Sequence, residues 1–209
     1  FDNILNDEEI IKRTGSVTKY YDSLIEEIPD DTLDNKKTKL YLTLMSINIL
    51  EGIRFYVSFA CSYCFAENKR MEGNAKIISF INRDENCHLG FTQIILNLLR
   101  KNPDEGFTHI AQQCEPIVIK MFEDAAKEEI EWANYLFKDG GLLGLNAEIL
   151  TQYVKWLTNL RMKGIGLTPI FEKVQNPISW INNWTSSKGV QVAPQESEIE
   201  AYVIGSIKN

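Results

Sequence analysis

The chain has 209 residues, 44% apolar and 24% charged, a composition that suits one globular domain, or one and a half, with a real core. Its net charge of −7, with no basic stripe, argues against a general nucleic-acid binder, because phosphate contacts need clustered Lys and Arg. Cys61, Cys64, Cys87 and Cys114 all fall in helix-like segments and read as reduced thiols of a reducing compartment, not as a disulfide framework.

No secretory or transit peptide is visible. The pattern begins at Phe1 without a preceding core element, which suggests a piece of a longer polypeptide or a processed one. The first predicted helix covers about 7–28, with Asn6 or Asp7 as N-cap and Gly15 as a break or kink. Pro29-Asp30-Asp31 and Asp34-Asn35 make a polar loop. A long apolar helix follows over about 36–66. Its stretch 40–66 is long enough to raise a membrane span, but Glu51 and Arg54 sit at its centre and Ser46, Asn48, Ser58 and Ser62 dilute it. Central charges are costly in lipid, so it reads as a helix buried inside a protein.

A further helix is expected over about 72–99, then a turn at Lys101-Asn102-Pro103-Asp104. The next covers about 108–137, kinked at Pro116 and ended by Asp139-Gly140-Gly141. The fifth covers about 146–163, closed by Gly164 and Gly166. Asn176-Pro177, Trp180 and Trp184 suggest a short packed piece, and from 186 the chain reads as an extended polar tail. The expected class is all-α, with a helical domain over 1–185 and the tail over 186–209.

Within this frame Glu51 lies mid-helix, and Glu85 and His88 follow on the next helix as Glu-x-x-His. The i, i+3 spacing puts Glu85 and His88 on one face, able to grip the same ion. The turn between the helices lets an antiparallel pair bring Glu51 opposite Glu85. A glutamate plus Glu-x-x-His is half the ligand set of a helical di-metal carboxylate site, and two carboxylates with one imidazole suit iron or manganese better than zinc. Each piece also has a bland reading: Glu51 as an i, i+3 partner of Arg54, and His88 as a solvated helical histidine. Cys61-x-x-Cys64 with Cys87 and His88 offers a zinc set on paper. Yet Cys87 and His88 point about 100° apart on a helix, so the cysteines read as small core residues.

Three stretches carry a resemblance. Leu50-Glu51-Gly52-Ile53-Arg54-Phe55-Tyr56-Val57-Ser58-Phe59-Ala60-Cys61 is one. Met71-Glu72-Gly73-Asn74-Ala75-Lys76-Ile77-Ile78 running into Arg83-Asp84-Glu85 and His88-Leu89 is the second. Val190-Gln191-Val192-Ala193-Pro194-Gln195-Glu196, followed by Tyr202 and Gly205, is the third. In this order they are similar to the class I ribonucleotide reductase small (β) subunit, in its enterobacterial and T-even-phage-like forms, over the whole chain.

The resemblance implies a ferritin-like di-iron helical bundle, with manganese as an alternative metal. It implies Glu51, Glu85 and His88 as metal ligands, and Phe55, Phe59 and Ile81 as the apolar wall around a radical tyrosine and the oxygen site. Arg83 and Asp84 match groups surrounding the ligands, and Glu196 and Tyr202 match tail residues that relay the radical to the large subunit. A large (α) catalytic subunit, a homodimer, no nucleic acid, no membrane and a cytoplasmic setting (the host's, if phage-encoded) are implied with it. The family's first aspartate, its first Glu-x-x-His and its radical tyrosine have no match before Glu51, and Tyr20 and Tyr21 do not fit that motif. An N-terminal half, in the same chain or a separate one, is therefore expected to supply them. Two other readings stand beside this one: another ferritin-like di-metal oxidase or oxygenase, and a metal-free structural fragment of such a subunit.

Overall fold

The computed structural model describes residues 8–26, 32–103 and 105–185. The described residues form helices α1 (Glu8–Ile25), α2 (Leu33–Ile49), α3 (Tyr56–Glu67), α4 (Glu72–Lys101), α5 (Thr108–Leu136), α6 (Ala147–Gly164) and α7 (Asn182–Thr185). A π-helical turn, Leu50–Arg54, joins α2 to α3, and a 3-10 turn, Ser179–Ile181, precedes α7. Leu142 and Leu145 make an isolated bridge, and no strand occurs among the described residues. The all-α expectation holds.

The helix ends follow local chemistry. Thr32 caps α2 by accepting the backbone N–H of Asn35 (3.2 Å), and Asp34 sits in the first turn, where a carboxylate complements the helix dipole. The Asp34-Asn35 pair expected in a loop is thus inside the helix, because the cap lies upstream of it. Asn146 caps α6 in the same way through the N–H of Ile149 (2.8 Å). Gly166, at φ +74°, closes α6: its N–H reaches the carbonyl of Lys163, and that of Leu167 reaches Met162. α1 runs through Gly15 without a break, and its N-cap candidates Asn6 and Asp7 lie outside the described residues. α5 is continuous through Pro116, which sits on the exposed face beside exposed Gln112, the residue whose carbonyl Pro116 cannot serve.

The predicted helix over 36–66 is three pieces, α2, the π turn and α3. They form the central spine, with two apolar clusters around it. In one, Tyr56, Val57, Ala60 and Tyr63 of α3 pack against Ala126 and Ala133 of α5 and Tyr153, Val154 and Leu157 of α6. In the other, Tyr41, Met45, Ile49 and Ile53 meet Leu96 of α4, Ile110, Val118 and Phe122 of α5, and Met162 of α6. Among the described residues Leu33–Glu67 is long and apolar enough to cross a membrane, yet 61% of its most apolar window is buried in protein. That is how a core helix of a folded domain behaves. Buried polar groups are tied across it: Asn48 Nδ2 donates to Thr92 Oγ1 (2.9 Å), joining α2 to α4. The tail over 186–209, with Glu196 and Tyr202, lies outside the described residues.

Candidate metal centre

The π turn and α4 face one another, and Glu51 from the first meets Glu85 and His88 from the second. One donor atom from each lies within 4.8 Å of the others. His88 Nδ1 is 3.2 Å from Glu85 Oε2 and 3.9 Å from Glu51 Oε2. The two carboxylates are mostly buried, whereas the imidazole is exposed, so the cluster opens on the outer face of α4. The expected juxtaposition across an antiparallel helix pair is therefore found in the geometry.

A π turn widens the helix by one residue and rotates the side chains that follow, a device common at functional sites. Here it carries Glu51 at its second position. Burial, then the facing Glu85 carboxyl, push Glu51 up to about 7, with His88 opposing them. Glu51 Oε2 is buried and has no hydrogen-bond partner among the described residues. Two crowded carboxyls, an imidazole and an orphaned buried oxygen are what a divalent cation would resolve, and the oxygen-rich set fits ferrous or manganous ions.

The other expected site residues distribute unevenly. Phe55 and Phe59 pack one turn apart in a tilted pair, with ring centroids 5.9 Å apart and Phe59 buried, as i, i+4 spacing allows. Ile81 is exposed on the outer face of α4, with Ile77, Phe91 and Ile94 along the same helix. Asp84 is also exposed and pairs with its neighbour Arg83 (Nε to Oδ1, 3.3 Å), not with His88. Glu196 and Tyr202 lie outside the described residues. The bland reading of Glu51 as the partner of Arg54 gives way, because Arg54 bonds Glu128 of α5 instead. The cysteines are dispersed: Cys64 donates to the Leu143 carbonyl (3.4 Å), Cys87 is exposed, and burial pushes the Cys61 thiol up to about 12. No cysteine joins the Glu51 cluster.

Sequence reasoning missed three participants. Burial, and then the charge of Glu51, raise the phenol of Tyr21 on α1 above its ordinary value. Arg161 of α6 donates from Nε to the Gly52 carbonyl (3.0 Å), and Tyr56 donates to Asn86 Oδ1 (2.8 Å). Only Gly52 hinted at this, as a small residue inside an apolar helix where another group approaches closely.

The family model of the ribonucleotide reductase small chain matches residues 1–177. This chain belongs to the ribonucleotide reductase small-chain family. It is 49% identical to ribonucleoside-diphosphate reductase subunit beta of Haemophilus influenzae over 225 residues, covering 99% of this chain and 60% of the relative. It is 39% identical to the subunit beta of Enterobacteria phage T4, covering 100% of this chain and 61% of that one. Among solved structures, the ribonucleotide reductase R2 subunit from Clostridium botulinum matches with a TM-score of 0.77 and 30% identity, over 88% of this chain and 55% of that one. The small-chain fold is thus the ferritin-like helical fold expected from the sequence. The chain spans about 60% of the length of the curated relatives it matches.

Proposed function

We propose that this chain is the part of a ribonucleoside-diphosphate reductase small subunit that holds half of a di-iron site. The observation that carries the reading is the Glu51–Glu85–His88 cluster, with its donors within 4.8 Å and one buried oxygen unpartnered, in a member of the small-chain family. When bound, a pair of irons would supply oxygen activation and the oxidation of a tyrosine to a stable radical. Manganese suits the same donors.

The residues of this chain have separate tasks in that scheme. Glu51 and Glu85 bind through carboxylate oxygens and His88 through its imidazole. Phe55 and Phe59 keep water from the inner side of the site. Arg83, Asp84 and Ile81 face outward from α4, toward the segment that supplies the remaining ligands, from the same chain or a separate one. In this reading the helices described above belong to the helical body, and Glu196 and Tyr202, which lie outside the described residues, pass oxidising equivalents to the large subunit that reduces ribonucleotides. The subunit acts as a homodimer in the cytoplasm, or the host's if phage-encoded.

Metal content and the EPR spectrum, measured after adding ferrous iron and oxygen, test the reading. About two irons per chain with a tyrosyl-radical signal, both lost in Glu51→Ala, is the expected result for the assembled site. Absence of iron and radical in that assembly would sink it in favour of a metal-free structural role.

A further inference from the structure

The π turn that carries Glu51 needs an outside partner. The change from α to π pairing and back leaves a carbonyl at the junction without a helical donor, and a buried carbonyl must find one elsewhere. Gly52 is buried, and its carbonyl accepts Nε–H of Arg161, which lies 109 residues away on α6. A charged donor makes this bond stronger than a neutral one would.

Gly52 is also what permits the approach. A Cβ there would lie 3.2 Å from Arg161 Cγ and 3.3 Å from Cδ, so the absence of a side chain lets the arginine arm lie flat against the turn. The guanidinium then stacks over Tyr56, with Cζ 5.1 Å from the ring centroid. Tyr56 donates to Asn86 Oδ1 (2.8 Å), and Asn86 Nδ2 donates to Asn82 Oδ1 (3.0 Å). Asn86 directly follows Glu85. One connected path therefore runs from α6 through the π turn to the stretch of α4 that carries Glu85 and His88. Arg161 forms no ion pair among the described residues, so its charge is directed at a carbonyl and a ring face.

We infer that Arg161 is a positioning residue for the metal site: it holds the π turn that sets Glu51 and couples that turn, through Tyr56 and Asn86, to Glu85 and His88. The inference rests on the metal reading above for its purpose, but not for its mechanical part. Docking α6 alone would explain an arginine at this interface, and the two roles separate by where a variant loosens the protein.

The test uses the 209-residue chain with Arg161→Leu, Arg161→Lys and Tyr56→Phe. Amide hydrogen exchange is followed at residues 52–57 and across α5, and Co(II) is titrated as the probe ion. Loss of a charged hydrogen bond is expected to speed exchange at 52–57 about tenfold or more in Arg161→Leu, with α5 unchanged. Arg161→Lys should fall between, since it keeps a donor and loses the planar stack. Co(II) affinity should drop roughly tenfold in Arg161→Leu. If Arg161→Leu does not fold, Arg161→Lys and Tyr56→Phe carry the comparison, Tyr56→Phe loosening residues 84–88 alone. Unchanged exchange at 52–57, or an equal rise everywhere, overturns the inference. So does unchanged Co(II) affinity in Arg161→Leu when the parent's binding is abolished by Glu51→Gln. If the 209-residue parent binds no Co(II), the titration is made on the assembled site; no binding there overturns the metal reading instead, and the exchange pattern still decides whether Arg161 holds the turn.

Discussion

Arg54 reaches across to Glu128 on α5 and not to Glu51, three positions before it. The π turn is the reason: it rotates Glu51 toward α4 and leaves Arg54 on the α5 side. Both members of the pair are largely buried, so loss of one charge removes a partly desolvated, charge-assisted hydrogen bond. Glu128→Gln should therefore destabilise the protein by roughly 1.5–3 kcal/mol in denaturant unfolding. Divalent-ion binding at Glu51 should be untouched, because Arg54 is not its counter-ion. A variant as stable as the parent, or one with altered ion binding, would contradict this assignment.

Glu51 should make stability depend on pH in an unusual direction. Its folded value, about 7, lies above its ordinary 4.5, so between these limits the folded state binds more protons than the unfolded one. Stability of the metal-free protein then falls as pH rises from about 4.5 to 7, and levels off above. The contribution is on the order of 1–2 kcal/mol, given that water reaches the cluster from the exposed His88 side. The difference between the parent and Glu51→Gln isolates it from other groups. A flat difference between pH 4.5 and 7 would show that Glu51 titrates normally. A bound cation reverses the sign, since it needs the carboxylate, so apparent affinity should rise up to about tenfold per pH unit below 7.

The dispersed cysteines give a third expectation. Cys61, Cys64 and Cys87 take no part in the cluster, so replacing all three with serine should leave Mn(II) and Fe(II) affinity unchanged, while His88→Ala should lower it roughly ten- to hundredfold. The same pair of titrations with Zn(II) would expose a thiolate site if one formed. Loss of zinc binding in the serine variant as well as in His88→Ala would restore the zinc reading.

What the sequence made legible was whatever depends on spacing along one helix or on a helix pair joined by a short turn. Glu85 and His88 share a face because they are three apart, and Glu51 meets them because α3 and α4 are antiparallel neighbours. The π turn was not legible, since Leu50–Arg54 has an ordinary helical composition. It is supported by Arg161, which approaches from α6 in the folded state only. Arg54 likewise had a plausible local partner, and a distant carboxylate on α5 won because the turn had already rotated Glu51 away. The start of α2 was misplaced by Asp34-Asn35, which look like loop residues and in fact sit behind the Thr32 cap. Ile81 carries no local signal for its exposure, which is set by how α4 packs.

Tyr63 offers a prediction of opposite sign from most core substitutions. Its ring is fully buried, lies 6.4 Å from Phe59 and stacks on Trp184 at 5.5 Å. Its hydroxyl is buried without a hydrogen-bond partner among the described residues, and burial raises the phenol above its ordinary range. A desolvated hydroxyl with no partner costs free energy, whereas the ring contributes through packing. Tyr63→Phe removes the first and keeps the second. It should stabilise the protein by up to about 1 kcal/mol, raising Tm by roughly 2–4 °C for a domain of this size. Trp184→Phe should do the reverse, since it deletes the indole N–H donated to Glu67 Oε1 (2.8 Å) as well as part of the stacked area. Calorimetry on the two variants decides the matter. A Tyr63→Phe protein less stable than the parent by 1 kcal/mol or more would mean that the hydroxyl is served by a bridging water, and that the α3–α7 contact is held by a polar link as well as by the stacked rings.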